Sequence, residues 1–188
     1  MSEVSPEDLG APFAQPSEPL AGASESPLPP SPRAEFRAGV LRVLPVLLGV
    51  IPFGTVAGIA AREAGLTLAQ SMGLSVFVFA GASQVAALGL IAAGAPAAVV
   101  VLTALVINLR MAVYSASLAN YLGHLRLRFK APLAYLLTDQ GFLLSAAHYE
   151  EAKPAQPTPS FYLGASLSMW IVWQISATLG ALLGGDLP

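Results

Sequence analysis

Long apolar runs separated by short charged breaks dominate this sequence. Residues 64–109 include no Asp, Glu, Lys or Arg, a stretch of 46 residues. A helix that crosses a membrane needs about 20 apolar residues, so this stretch is long enough for two crossings. The runs lack the sustained alternation of apolar and polar positions that is typical of membrane β-strands. The pattern therefore predicts an all-α integral membrane protein, a multi-spanning helical bundle.

Five apolar segments are predicted, each near the length of one crossing. They cover residues 40–61, 69–92, 96–122, 131–147 and 161–183, within a transmembrane permease domain over 36–188. Residues 1–35 are rich in Pro, Ser and Glu and contain few large apolar side chains. Such a segment cannot bury enough surface to offset its ordering entropy, so we predict a disordered N-terminal tail.

The placement of Lys and Arg conflicts with five simple crossings. That arrangement puts four cations on each side of the membrane, so the positive-inside rule does not decide the orientation. The two groups are Arg33, Arg37, Arg42 and Lys153 against Arg62, Arg126, Arg128 and Lys130. Helix-breaking residues occur in the first two segments, at Ile51-Pro52-Phe53-Gly54 and Ala80-Gly81-Ala82-Ser83-Gln84. A break that returns the chain to the same side would gather six or more cations there, so we predict that at least one of these segments is discontinuous or re-entrant.

The helix breakers also introduce candidate binding groups at membrane depth. Pro52 removes a backbone donor, so a break beside Phe53 and Gly54 would expose carbonyl groups to a ligand. Alternatively, the Gly54-xxx-Gly58 spacing only lets two helices pack closely. Ser83 and Gln84 supply hydroxyl and amide groups for a ligand, or, in the alternative, a hydrogen bond between helices.

Arg110 and Asp139 are charges within apolar surroundings, where an unpaired charge is costly. A guanidinium is suited to bidentate capture of a carboxylate, and Asn108 and Tyr114 would support it, the latter from one helical turn away. Alternatively, a helix beginning near Ala86 would place Arg110 at its end as an interfacial anchor. Asp139 is either the ion-pair partner of Arg110 or a group that couples transport to a proton or sodium ion. A third possibility is a purely structural Arg–Asp pair.

Four motifs together resemble those of the AzlC family of branched-chain amino-acid permeases, named for azaleucine resistance. The motifs are Pro45…Ile51-Pro52-Phe53-Gly54…Gly58, Phe79-Ala80-Gly81-Ala82-Ser83-Gln84, Asn108-Leu109-Arg110…Tyr114-Ser115 and Leu137-Thr138-Asp139. The resemblance covers residues 36–188. It implies the large subunit of a two-component secondary transporter that exports branched-chain amino acids across the cytoplasmic (inner) membrane, together with a small AzlD-like membrane subunit.

Three departures from the family pattern bear on this expectation. The residue after Arg110 is often histidine in the family and is Met111 here, and the acidic residue that commonly follows the aspartate is Gln140 here. Family members usually continue for one or two further membrane segments beyond the equivalent of Pro188, so we expect the chain to be C-terminally truncated.

Other functional classes find less support in the sequence. With 11% charged residues against roughly 25% in soluble domains, and no cysteine, the chain excludes disulfides, thiol catalysis and Cys-ligated metals. It contains no HExxH, GxSxG or GxxxxGK[ST] motif, so neither an intramembrane enzyme nor a nucleotide-binding domain is expected. We expect no cofactor, no metal and no nucleic-acid partner. The main alternative is a non-transporting membrane-assembly subunit.

Overall fold

The computed structural model describes residues 31–153 and 157–185. Within these residues the chain forms helices and no strands, which confirms the predicted all-α class. The helices are α1 Pro32–Glu63, α2 Leu68–Phe77, α3 Gly81–Ala92, α4 Ala97–Asn108, α5 Arg110–Leu122, α6 Leu127–Tyr135, α7 Asp139–Ala152 and α8 Ser160–Gly185. Residues 1–30 of the predicted tail lie outside the described residues. The last five residues of the predicted tail, 31–35, include the start of α1 at Pro32.

Three stretches are long and apolar enough to cross a membrane. They are α1, α8 and the continuous stretch Ala97–Leu122, which joins α4 to α5 through a single turn at Leu109. These correspond to the first, third and fifth predicted segments. The second and fourth segments are each divided into two shorter helices.

The two longest helices, α1 and α8, pack against each other along most of their length. Small residues bring their backbones together: a Cβ atom added to Gly39 would collide with the Phe161 carbonyl, and one added to Gly58 with the Ala177 carbonyl. Gly180 lies equally close to the backbone of Thr55. This close approach is the packing that GxxxG-type spacings allow in membranes.

The first segment is not broken at Pro52, because α1 is continuous through both Pro45 and Pro52. A proline inside a helix costs about 3 kcal/mol, since it removes a backbone hydrogen bond. Contacts with α8 on both sides of Pro52 hold the helix together and outweigh this local preference. A Cβ atom on Gly54 would lie 2.9 Å from the Cβ of Ser176, so Gly54 serves close helix packing, as in the alternative interpretation.

The predicted discontinuity of the second segment is confirmed. The helix α2 ends at Phe77, and α3 begins at Gly81 after three non-helical residues. The fourth predicted segment, residues 131–147, does not form one helix either. A break at residues 136–138 separates α6 from α7, and Asp139 is the first residue of α7. Thr138 caps α7 by accepting a hydrogen bond from the Gly141 amide at 3.1 Å, which stabilises a helix start at this point.

Candidate functional site

The two breaks and the start of α5 border one cavity of about 130 Å³, which we call the central cavity. The walls come from α1, α3, α5, α7, α8 and the two breaks. They are formed by Val50, Phe53, Phe79, Ala80, Gly81, Ala82, Arg110, Met111, Thr138, Asp139, Gln140, Met169 and Trp173. The cavity therefore combines apolar and aromatic side chains with a small number of polar groups, which is the usual composition of a small-molecule site.

Arg110 and Asp139 form an ion pair at the wall of this cavity. The guanidinium Nη1 atom lies 2.9 Å from the Asp139 Oδ2 atom, and about a third of each side chain is accessible. The pair joins the start of α5 to the start of α7. Two further atoms of the pair, Arg110 Nε and Asp139 Oδ1, are buried and have no hydrogen-bond partner among the described residues. The pair therefore has a buried donor and a buried acceptor whose hydrogen-bonding capacity is unused among the described residues.

The position of Arg110 follows from a local interruption of the third segment. The helix α3 ends at Ala92, and a separate helix begins at Ala97, so Arg110 does not end a helix that starts near Ala86. The turn at Leu109 instead places Arg110 at the first position of α5, with helix on both sides. The interpretation of Arg110 as an interfacial anchor is therefore wrong.

The start of α3 supplies backbone donors at the cavity. Its N-cap residue, Ala80, makes no side-chain cap, in contrast to Thr138 at the start of α7. The first amides of a helix lack partners within the helix, and the helix dipole favours an anion there. Gly81 and Ala82 both line the cavity at this point. The break between α2 and α3 therefore offers an uncapped helix N-terminus at the cavity that contains the Arg110–Asp139 pair.

Two aromatic rings cover the start of α3. Phe53 and Trp173 meet edge to face, with ring centroids 5.6 Å apart. A Cβ atom on Gly81 would lie 2.7 Å from the Phe53 ring and 3.0 Å from the Trp173 ring, so only glycine allows both rings to lie so close to the break. The prediction that Phe53 contributes to a site thus agrees with its position, although α1 is not broken there.

Ser83, Gln84 and Asn108 lie behind the cavity wall rather than on it. The Ser83 hydroxyl donates to the Ala80 carbonyl at 3.0 Å, which fixes the first turn of α3. Gln84 is 1% exposed, and its Oε1 atom has no hydrogen-bond partner among the described residues. The Oδ1 atom of Asn108 is also buried and has no hydrogen-bond partner among the described residues. Ser83 and Gln84 belong to α3, whose first residues line the cavity, and Asn108 is the last residue of α4, two positions before Arg110.

Tyr114 and Gly54 are directed elsewhere in the structure. The Tyr114 ring stacks on Phe142 of α7, with centroids 4.6 Å apart and planes 12° from parallel. The hydrogen bonds of the described residues include none from the Arg110 guanidinium to the Tyr114 hydroxyl, so the expected support of the guanidinium by this phenol is not found. Gly54 faces α8, as described above.

Trp173 and Met169 line the cavity, although no local sequence signal marks them as site residues. Both belong to α8, whose sequence is simply that of a spanning helix. Trp173 also donates from Nε1 to the Ser75 hydroxyl at 3.0 Å, and Gln174 donates to the Ser75 carbonyl at 3.2 Å. These bonds hold the end of α2 against α8, so α8 both lines the cavity and positions the first half of the broken segment.

Comparison with known proteins places this architecture in a family. A sequence model of the family described as AzlC protein matches residues 45–187. The chain belongs to the AzlC family. The match includes every residue that lines the central cavity.

Several relatives are membrane proteins by name. The chain is 32% identical to an uncharacterized membrane protein of Archaeoglobus fulgidus over 157 residues, 84% of this chain and 66% of the relative. It is 29% identical to the inner membrane protein YgaZ of Escherichia coli over 166 residues, 87% of this chain and 67% of the relative. An uncharacterized membrane protein of Helicobacter pylori is 27% identical over 149 residues, 79% of this chain and 64% of the relative. This AzlC-family chain thus spans about two thirds of the length of these relatives. No solved structure matches it.

Proposed function

We propose that this chain acts in the export of branched-chain amino acids across the cytoplasmic membrane, as the large subunit of a two-component secondary transporter. The observation that carries the proposal is the Arg110–Asp139 pair, which lies in a cavity between two broken segments of an apolar helical protein. Broken helices that border a polar site are a recurrent design of secondary transporters. The partner would be a small membrane subunit of the AzlD type.

A zwitterionic amino acid matches the charges of the central cavity. Its carboxylate would accept hydrogen bonds from Arg110 and from the uncapped amides at the start of α3. Its ammonium group would bind the Asp139 carboxylate, which has an unused oxygen. Its aliphatic side chain would pack against the rings of Phe53 and Trp173. Substrate binding would then compete with the ion pair. Arg110 and Asp139 would alternate between pairing with each other and binding the substrate.

The two positions that depart from the family pattern support a role for this cavity in selectivity. Met111 and Gln140 both line it, one beside each charged residue. A thioether and an amide there, in place of imidazole and carboxylate, leave Arg110 and Asp139 as the charged groups of the cavity wall. We expect these two positions to influence which amino acid is bound.

An efflux assay tests the proposal directly. Cells expressing the chain with an AzlD-like subunit would be loaded with leucine- and valine-containing dipeptides, and the released amino acids measured over time. Efflux above that of cells carrying either subunit alone is expected. No efflux from a pair that is well expressed and inserted in the membrane would contradict the proposed substrate and function.

A proton-coupled mechanism makes a separate prediction for Asp139. If this carboxylate carries the coupling proton, Asp139→Asn removes the dependence of efflux on external pH, because the amide cannot titrate. Efflux would be measured at several pH values in wild type and variant, with membrane insertion checked by immunoblot. Glu63→Gln, which removes an exposed carboxylate outside the cavity, is the matched control. A variant whose efflux keeps the wild-type pH dependence would reject coupling through Asp139.

The alternative function is that of a non-transporting assembly subunit. Its support is the same ion pair, because a 2.9 Å contact between α5 and α7 also holds two helices in register. Exchanging the charges, with Arg110→Asp and Asp139→Arg together, separates the two functions. A purely structural pair predicts that the exchanged protein keeps the wild-type level of expression, partner binding and any efflux that the complex shows, whereas a substrate site predicts normal expression with efflux lost.

A further inference from the structure

A second cavity lies between α5, α6 and α8, and we call it the α5–α6 cavity. It has a volume of about 120 Å³ and is separate from the Arg110–Asp139 pair. Most of its wall is apolar, including Leu118 and Leu122 from the last turns of α5 and Leu133 from α6. The Tyr162 hydroxyl at its wall already donates to the Leu133 carbonyl at 2.7 Å. The interior therefore suits a hydrocarbon chain rather than a polar solute.

One edge of this cavity is cationic. Lys130 lines it and donates from Nζ to the Gly123 carbonyl at 2.6 Å, which holds the ammonium group at the edge. Arg126 and Arg128 precede it on the same short segment, and both side chains are exposed. The salt bridges of the described residues include none of these three cations. Residues 64–138 contain no Asp or Glu at all, so the chain provides no nearby sequence neighbour to neutralise them.

The position of the cavity along the spanning stretch matches the separation of its apolar interior from its cationic edge. The spanning stretch Ala97–Leu122 ends at the cavity wall, so Leu118 and Leu122 lie in its last turns. The cations follow directly after this end, where the headgroups of the bilayer begin. Leu127 and Phe129 between them are 81% and 50% exposed, which is typical of side chains that insert into a lipid surface.

We propose that the α5–α6 cavity binds an anionic phospholipid. Its phosphate would lie at Lys130 and Arg126, and part of one acyl chain would pack against Leu118 and Leu122. Basic pockets between membrane helices bind such headgroups, and the unneutralised cations favour a lipid with net negative charge over a zwitterionic one. A helix of another protein fits less well, because it would need acidic residues at membrane depth to match the cations. The proposal does not depend on transport.

The experiment uses the purified full chain in detergent. Native mass spectrometry would measure how much lipid stays bound, and thermal unfolding would measure stabilisation, with phosphatidylglycerol, phosphatidylcholine or inorganic phosphate added. Phosphatidylglycerol is expected to bind and to raise the unfolding temperature more than the other two. A Lys or Arg near an anionic surface contributes about a fivefold gain in binding, so Lys130→Gln should reduce retained lipid by about that factor.

Two further variants separate a built site from general attraction of charge. Arg126→Gln with Arg128→Gln should lower binding further, whereas Arg33→Gln with Arg37→Gln removes the same charge from exposed positions on α1 and should change little. Ala119→Phe fills the cavity without changing the charge and should also release the lipid.

Four results would overturn the proposal. They are equal retention of the two phospholipids, equal stabilisation by phosphate alone, an equal loss of binding in the α1 control, and undiminished lipid binding by a folded Ala119→Phe protein. Occupation of this face by a second copy of the chain without bound lipid, seen as a dimer mass that Ala119→Phe abolishes, would also contradict it. If Ala119→Phe fails to fold, Lys130→Gln and its control still decide the question.

Discussion

Replacing Arg110 with alanine is expected to abolish amino-acid efflux while leaving the chain in the membrane. The substitution removes the guanidinium of the central cavity and leaves the Asp139 carboxylate without its partner at 2.9 Å. A hydrogen bond to a charged group contributes about 2 kcal/mol, so loss of one such bond to a substrate carboxylate would weaken binding about thirtyfold. Efflux from dipeptide-loaded cells, normalised to the amount of membrane-inserted protein, measures the effect.

The same assay distinguishes a substrate site from a structural pair. Arg110→Lys keeps the charge but loses the planar donor geometry, so we expect intermediate efflux from it. Removing both charges, with Arg110→Ala and Asp139→Ala, eliminates the unpaired carboxylate and should leave efflux equally low, so the loss cannot be attributed to that carboxylate. Arg33→Ala, an exposed cation on α1, is the control. Wild-type efflux from the Arg110→Ala protein would remove Arg110 from the proposed site.

Replacing Gly58 with alanine is expected to produce a large loss of stability. The new Cβ atom would collide with the Ala177 carbonyl and lie 2.6 Å from the Ala181 amide nitrogen. These are backbone atoms of α8, which cannot turn aside as a flexible side chain can, so α1 and α8 must separate. Overpacking of this kind costs about 1–3 kcal/mol or more. Thermal unfolding of the purified protein, followed by size-exclusion chromatography, should show a fall of about 5 °C or more.

Gly49 provides a matched control on the same helix. A Cβ atom at Gly49 meets nothing within 4 Å, so Gly49→Ala should leave the unfolding temperature unchanged or slightly raised, because alanine is the better helix former. A second test makes the substitution on α8. Gly180→Ala should cause a similar loss of stability, because the new Cβ atom would collide with the Thr55 backbone. If Gly58→Ala were as stable as Gly49→Ala, the close packing of α1 on α8 would be disproved.

The helix breaks show which structural features local sequence patterns can predict. Small residues around Gly81 predicted the break in the second segment, since glycine disfavours a continuous helix and frees the backbone. The same reasoning failed at Pro52, where α8 supports α1 on both sides. It also does not predict the break before Asp139, because the apolar run of residues 131–147 indicates a continuous helix more strongly than the single N-cap residue Thr138 indicates a helix start.

The sequence alone determined the class of this protein. Apolar runs of spanning length, the scarcity of charge and the four motifs already predicted a helical membrane protein of the AzlC family, and they marked Arg110 and Asp139 as the unusual charges. These inferences succeed because membrane insertion depends on local hydrophobicity and because a charge in such surroundings is conspicuous.

Only the tertiary structure decided which of these groups share a site. Arg110 and Asp139 lie 29 positions apart in the chain, and Trp173 follows 34 positions later, yet all three line one cavity. Ser83, Gln84 and Asn108 had the same polar appearance in sequence but lie behind the wall, and Tyr114 stacks on Phe142. The physical reason is that the direction of a side chain depends on helix packing and on where each helix begins. Contacts between distant segments fix both of these properties.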